Sequence, residues 1–126
     1  MIPKTLTEVA QLVARGESFD FSLRNFLDGF YACPTPEAIA AAPAPLAETN
    51  PQLGAVEDAY LAATAEWLAW KFDFPPPAWT RAEHRFLRRP WFASSLDSLR
   101  AVLLLESPAA FRSRNLFVSE NALTRA

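Results

Sequence analysis

The sequence contains little cysteine, glycine and histidine, and each shortage removes a class of function. Its 126 residues include one cysteine, three isolated glycines and one histidine. A single cysteine excludes an intramolecular disulfide and any metal cluster built on cysteines. Three separated glycines leave no glycine-rich loop that could cradle a phosphate. Since His84 has no second histidine to join it at a metal, we expect neither a metal site nor a cofactor.

Long apolar segments are also lacking. No run approaches the ~18 residues that a membrane span requires, and the alanine-rich residues 38–47 are interrupted by Pro43 and Pro45. The chain does not open on a basic stretch followed by an apolar run, so no signal peptide is indicated. The sequence therefore predicts a cytoplasmic protein without a membrane span, folded as one domain over residues 1–126.

Apolar and aromatic residues are abundant. Hydrophobic residues make up 51% of the chain, with ten Phe, four Trp and two Tyr. Few glycines and many prolines favour helices joined at proline-marked corners. The aromatic residues either fill one bulky core or leave a surplus that becomes an interface, and both interpretations stay open.

Helical spacing of apolar residues recurs through the first half of the chain. Thr5 and Glu8 form a capping box at the start of a first helix that Gly16 ends. A second apolar stripe continues until Pro34, and a third short helix is predicted to reach about Ala42.

The strongest predicted element covers residues 51–72, opened by Asn50 and Pro51. Its apolar residues form two stripes, a pattern typical of a helix that is packed on several sides. We therefore predict an all-α fold, a compact bundle of about six to eight short helices around this long central helix.

The second half of the chain is predicted as shorter elements. Thr80 and Glu83 resemble another capping box, at the start of a helix that Pro90 ends. The remaining predictions are a helix around residues 96–103 capped by Ser94 or Ser95, a restart at Ser107 and Pro108, an extended segment over residues 116–118, and a last helix from Ser119 to Leu123.

Charge is divided unevenly along the chain. Residues 1–79 carry four basic and ten acidic side chains, whereas residues 80–126 carry eight arginines and four acidic side chains. Such asymmetry indicates either a binding face or two halves that complement each other inside one fold.

Arginines and tryptophans are concentrated around residues 79–91. On a helix, Arg81, His84, Arg85 and Arg88 would share one arc, a ridge able to hold phosphates or an acidic partner. The alternative is an ordinary solvated face with the tryptophans in the core. Ser107 and its proline could also present an anion site, although capping alone explains them. The candidate contact residues are Trp79, Arg81, Arg85, Arg88, Arg89, Trp91, Arg112 and Arg114.

Catalytic patterns are weak. Cys33 and His84 would need a third, orienting group, and Cys33 ends an apolar stripe, which suggests a buried structural thiol. The acids Glu57, Asp58 and Glu66 do not pair as an acid–base dyad. We therefore expect a protein that is not an enzyme.

Three stretches carry a resemblance to a known family: residues 21–31 (FSLRNFLDGFY), 77–79 (PAW) and 104–118 (LLESPAAFRSRNLFV). They resemble a family of uncharacterised small bacterial proteins whose genes lie beside nucleotidyltransferase-like genes, as in toxin–antitoxin pairs. The resemblance implies an antitoxin-like partner of a neighbouring nucleotidyltransferase-like enzyme.

These observations together predict a non-enzymatic interaction protein that binds a protein partner, with a homodimer as a further way to cover apolar surface. The alternative is a helical module that binds nucleic acid through the same arginines.

Overall fold

The computed structural model describes residues 2–94 and 97–124, and these are mostly helical, with 54% helix against 3% strand. This composition is compatible with the predicted all-α class. The described elements are α1 (Leu6–Ala14), α2 (Phe19–Ala32), α3 (Glu37–Ala40), α4 (Gly54–Lys71), two 3₁₀ helices (Ala78–Arg81 and Glu83–Arg85), β1 (Trp91–Phe92), α5 (Asp97–Glu106), α6 (Ala109–Arg112) and β2 (Leu116–Phe117).

The helices predicted in the first half of the chain are confirmed. The hydroxyl of Thr5 accepts a hydrogen bond from the backbone N–H of Glu8 at 3.1 Å, which caps α1. Gly16 adopts a φ of 106° just after that helix, a conformation that other residues rarely take. The third helix ends two residues earlier than predicted, because Ala41 is extended.

Helix α4 begins later than the predicted residue 51. The side-chain oxygen of Asn50 accepts hydrogen bonds from the backbone N–H groups of Gln52 and Leu53, so residues 51–53 form a separate turn. The helix starts at Gly54, which lies against the backbone of Leu46 and Ala47. A Cβ atom at this position would overlap the carbonyl oxygen of Leu46 and lie 2.6 Å from Cα of Ala47. This close approach requires glycine.

The core gathers large apolar side chains from both halves of the chain. Leu61 and Leu68 of α4 are fully buried, together with Phe26 of α2, Phe111 of α6 and Leu116 of β2. Burial of such side chains supplies the main favourable term in folding, roughly 1.5–3 kcal/mol each.

The helix predicted from Thr80 to Pro90 is wrong. Two 3₁₀ helices occupy this segment, and Ala82 between them is extended. The carbonyl oxygen of Thr80 accepts a hydrogen bond from Nη2 of Arg114 at 2.8 Å, where an α-helix would have an i+4 backbone bond. The Thr80 hydroxyl donates to the carbonyl of Pro77 instead of capping a helix.

The final helix predicted from Ser119 to Leu123 is also wrong, since this segment forms turns. The Ser119 hydroxyl accepts from the N–H of Asn121 at 3.2 Å, a local bond that competes with a helix. The hydroxyl of Tyr31 donates a hydrogen bond to the carbonyl of Leu123 at 2.7 Å.

A short parallel strand pair joins the predicted extended segment to β1. Trp91 lies opposite Leu116 and Phe92 lies opposite Phe117, so the extended conformation is confirmed for residues 116 and 117. The helix predicted around residues 96–103 is confirmed as α5. Two residues used in that prediction, Ser95 and Leu96, lie outside the described residues.

Candidate interaction surface

Arg85, a candidate contact residue, is buried, with 1% of its surface exposed. Its guanidinium donates to the carbonyl oxygens of Pro43 at 2.7 Å and Asp58 at 3.2 Å, and lies 3.7 Å from a carboxylate oxygen of Asp58. It also stacks 4.9 Å from the ring centre of Trp79. Burial lowers the pKa of Arg85, and the Asp58 charge opposes that effect. Arg85 therefore joins segments of the fold and is not available to a partner.

Arg114 is likewise buried, with 1% of its surface exposed. Its guanidinium donates to the carbonyl oxygens of Ala110 and Thr80, both at 2.8 Å, and to a carboxylate oxygen of Glu66 at 2.7 Å. It also lies 4.6 Å from the ring centre of Phe86. Arg114 thus ties α4, α6 and the first 3₁₀ helix together, and its prediction as a contact residue is wrong.

These two buried arginines explain part of the charge asymmetry. Each comes from the basic half of the chain and pairs with an acid on α4 in the acidic half, Asp58 in one case and Glu66 in the other. The structure therefore supports the second interpretation of the asymmetry for these pairs: the halves complement each other inside one fold.

The other predicted arginines lie on the surface, but they do not form a helical ridge. Arg81, Arg88, Arg89 and Arg112 are exposed. Because the segment from residue 80 to 90 is not one α-helix, the spacing of about 100° per residue that predicts Arg81 and Arg88 on one arc does not apply.

The two flanking tryptophans have different surroundings, and both are half-buried. Trp79 donates its indole N–H to the carbonyl of Ile39 at 3.0 Å and packs on the core. Trp91 of β1 also packs against the core, and it lines a surface cleft. Trp79 therefore acts as a core residue, and Trp91 stays a candidate for contact with a ligand.

A surface that the sequence did not reveal lies on α5. This helix exposes Leu99, Val102, Leu104 and Leu105, by 41%, 48%, 45% and 82% of their surfaces. Among its leucine and valine residues only Leu103 is buried, and α5 contacts β2. Spacing alone could not separate these residues, because Leu99, Val102 and Leu103 fit one buried stripe equally well.

An apolar groove lies close to the end of α5. Trp67, Trp70, Pro108 and Ala109 line it, and its volume is about 320 Å³. Trp70 is 77% exposed, which is unusual for tryptophan because its side chain has a large apolar surface. Pro108 follows the last residue of α5 by two positions, so the groove lies near the C-terminal end of this helix.

A second cleft has an acidic character. Asp20 and Glu57 line it together with Trp91, and its volume is about 350 Å³. Burial raises the pKa of Glu57, and the charges of Asp58 and Asp20 raise it further, while a hydrogen bond with the Asn50 side chain lowers it.

Tyr60 also lines this cleft. Burial, assisted by the charge of Asp20, raises the pKa of Tyr60 to about 12. The phenol therefore stays neutral at physiological pH, and the formal charge of this cleft comes from carboxylates.

The residues weighed for catalysis are not brought together. His84 lines an open cleft beside Glu83 and Arg88, and Cys33 is not among the residues that line it. Cys33 is exposed at the end of α2, so its prediction as a buried thiol is wrong. Ser107, weighed as an anion site, is buried, and its hydroxyl accepts from the N–H of Val118 at 2.8 Å.

Within the described part of the chain, no cluster of three or more metal-binding side chains is found. In the same residues, no helix has the length and apolar character needed to cross a membrane. Comparison of the chain with protein-family models, with curated proteins and with solved structures gave no match.

Proposed function

We propose that this chain is a non-enzymatic interaction protein that binds a protein partner through the exposed face of α5. The observation that supports this most strongly is the exposure of Leu99, Val102, Leu104 and Leu105 on one ten-residue helix. Single exposed leucines are normal on protein surfaces, but several on one short helix are typical of an interaction site. At about 100° per residue, Leu99, Val102 and Leu105 share one side of α5. Leu104 lies beyond the buried Leu103, away from that side.

The groove at Trp70 extends this surface. A tryptophan with most of its area exposed can insert into a pocket on the partner, and tryptophan is enriched among the residues that dominate binding energy. Together, the face of α5 and the groove form what we call the docking surface, consisting of Leu99, Val102, Leu104, Leu105, Trp67, Trp70, Pro108 and Ala109.

The charge beside the groove favours a partner that carries carboxylates. Arg112 is exposed in α6, three residues after Ala109, which lines the groove. Glu66 lines the groove too, but its carboxylate is already paired with Arg114 at 2.7 Å. A partner with carboxylates around an apolar centre fits this surface, because opposite charges at an interface edge favour association.

The family resemblance suggests which partner this is. A nucleotidyltransferase-like enzyme holds carboxylates at its active site, and such an enzyme in the cytoplasm would present the acidic, partly apolar surface that the docking surface requires. We propose that this chain binds the enzyme encoded beside it, as antitoxins do.

The scaffold that would hold the docking surface is inferred to be a bundle of short helices around α4 as the long central helix. Both 3₁₀ helices, α6 and β2 contact α4, which supports this arrangement. In such a bundle α5 lies at the periphery, where an incoming partner can reach it.

The test is co-expression of this chain with the neighbouring enzyme, followed by size-exclusion chromatography at low and high salt. We expect one shared peak that survives high salt, because an apolar interface responds weakly to ionic strength. The variant Leu105→Glu should separate the two proteins, whereas Phe21→Glu, which changes an exposed apolar residue on α2, should not.

Two separate peaks for the unchanged protein would overturn the proposal. Nucleic acid that elutes with the chain and dissociates as salt rises, without a protein partner, would favour the nucleic-acid alternative, since phosphate contacts weaken steeply with salt.

A further inference from the structure

The acidic cleft is a concave site whose walls are aromatic. It lies between the start of α2, the first half of α4 and β1. The rings of Phe19 and Tyr60 meet edge to face with their centres 5.5 Å apart, and Trp91 contributes an indole from β1. These three rings come from three different elements, so the fold positions each wall separately.

Two carboxylates supply the charge of the cleft. Asp20 is exposed at the start of α2, and Glu57 is half-buried on α4. No basic residue is found among the described residues that line the cleft. One carboxylate oxygen of Glu57 is shielded from solvent and has no hydrogen-bond partner in the described chain. A buried carboxylate oxygen without a donor is energetically unfavourable.

From this combination we propose that the cleft binds an organic cation, an ammonium or guanidinium group carried on an apolar stem. Cations are attracted to the faces of Trp, Tyr and Phe rings, and the carboxylates of Asp20 and Glu57 attract the same charge. A volume of about 350 Å³ lies in the range of small-ligand sites. This inference does not depend on the docking surface of α5.

A metal ion fits this site less well than an organic cation does. Hard divalent cations need six or more oxygen ligands, and the described residues hold no group of three metal-binding side chains. Inorganic anions are opposed by both carboxylates. The aromatic walls, in contrast, match the apolar stem and the diffuse charge of an alkylated cation.

Such a cation can come from two sources, a free small amine or guanidine, or a Lys or Arg side chain of a protein. The experiment is a titration of the ¹⁵N-labelled chain, followed by the NMR signal of the Trp91 indole N–H. The probes are n-butylammonium, n-butylguanidinium and a blocked tripeptide with a central lysine. The controls are n-butanol, which has the stem without the charge, and butyrate, which has the opposite charge.

We expect the cations to shift the Trp91 signal at concentrations at least tenfold lower than n-butanol does, and butyrate to leave it unchanged. The pair of substitutions Asp20→Asn and Glu57→Gln should weaken cation binding at least tenfold. Glu37→Gln, which removes an exposed carboxylate of α3 outside the cleft, should have no effect. Circular dichroism of each variant establishes that it is folded.

Tighter binding of the free cations than of the peptide would assign the cleft to a small molecule, and the reverse would assign it to a protein side chain; either result supports the proposal. Equal binding of n-butanol and n-butylammonium would overturn it. A Trp91 signal that no cation moves, or a folded double variant that binds as the unchanged chain does, would overturn it too.

Discussion

Replacement of Arg114 by alanine should destabilise the fold strongly, whereas the same replacement at Arg112 should not. Arg114 has 1% of its surface exposed and donates three hydrogen bonds of 2.7–2.8 Å. Arg112, two residues earlier, is exposed. The two positions therefore form a matched pair, in which the residue type is the same and the burial differs.

The magnitude follows from the partners that would be left behind. Removal of one member of a buried ion pair costs about 3–5 kcal/mol. The carbonyls of Thr80 and Ala110 would lose their donor, and each unsatisfied buried group costs about 1–3 kcal/mol. Glu66 is 29% exposed and can be rehydrated, which reduces the total. We therefore expect a loss of about 3–4 kcal/mol for Arg114→Ala, against less than about 0.5 kcal/mol for Arg112→Ala.

Urea unfolding followed by tryptophan fluorescence and by circular dichroism gives both values. Coincident transitions with the two probes would justify a two-state analysis. If Arg114→Ala lost no more than Arg112→Ala, the guanidinium would not be a structural element, and Arg114 would return to the set of candidate contact residues.

Three further predictions test other parts of the structure. Gly54→Ala should lower the free energy of unfolding by about 1–3 kcal/mol in urea unfolding, because its Cβ overlaps the Leu46 carbonyl; an unchanged midpoint would contradict this close packing. Tyr31→Phe removes the hydrogen bond to Leu123 and should lower the free energy of unfolding by about 1 kcal/mol in the same assay. An unchanged free energy of unfolding would mean that this hydrogen bond does not stabilise the turns that end at Leu123. The pKa of Glu57 is raised in the folded state above its ordinary 4.5, because burial disfavours the ionised carboxylate. The contribution of Glu57 to the free energy of unfolding is therefore favourable below pH 4.5, and it is lost as pH rises through the folded pKa. Glu57→Gln should therefore be more stable than the unchanged chain at pH 7 and lose this advantage near pH 4, whereas an advantage that does not change with pH would contradict the assignment.

Local signals in the sequence were sufficient for the helices of the first half. Thr5 supplies a hydroxyl at the position where a helix has free N–H groups, and Gly16 supplies the conformation that ends α1. Both effects act within a few residues, so they can be recognised without knowledge of the fold. The same holds for α5, whose apolar spacing predicted a helix correctly but could not tell which of its leucines faces the core.

The segment after Thr80 shows why local signals fail elsewhere. Its residues have helical spacing, yet the carbonyl of Thr80 is bound by a guanidinium 34 residues away along the chain. Arg85 reaches the carbonyl of Pro43 across 42 residues. Arginine is usually exposed, so burial of two arginines is the less expected outcome. These long-range hydrogen bonds replace the local bonds of a helix, and no local pattern reports them.

The candidate site was predicted only in part. The aromatic surplus suggested an interface, and exposed Trp70 supports that expectation. The arginine ridge depends on a continuous helix, and Arg85 of that ridge instead holds the fold together, as does Arg114, which belongs to the second candidate site. The exposed face of α5 depends on how this helix packs against β2, which is a tertiary property.

Site-specific photocrosslinking tests whether a partner protein docks on α5. The photoreactive amino acid p-benzoylphenylalanine replaces Leu105 in one variant and Phe21 in a control, and each variant is co-expressed with the nucleotidyltransferase-like enzyme that we propose as the partner. Both positions carry exposed apolar side chains, at 82% and 57%. We predict a crosslinked product with the mass of one chain plus one enzyme from position 105 and none from position 21. Absence of that product at position 105, or a product with the mass of two copies of this chain, would contradict the account.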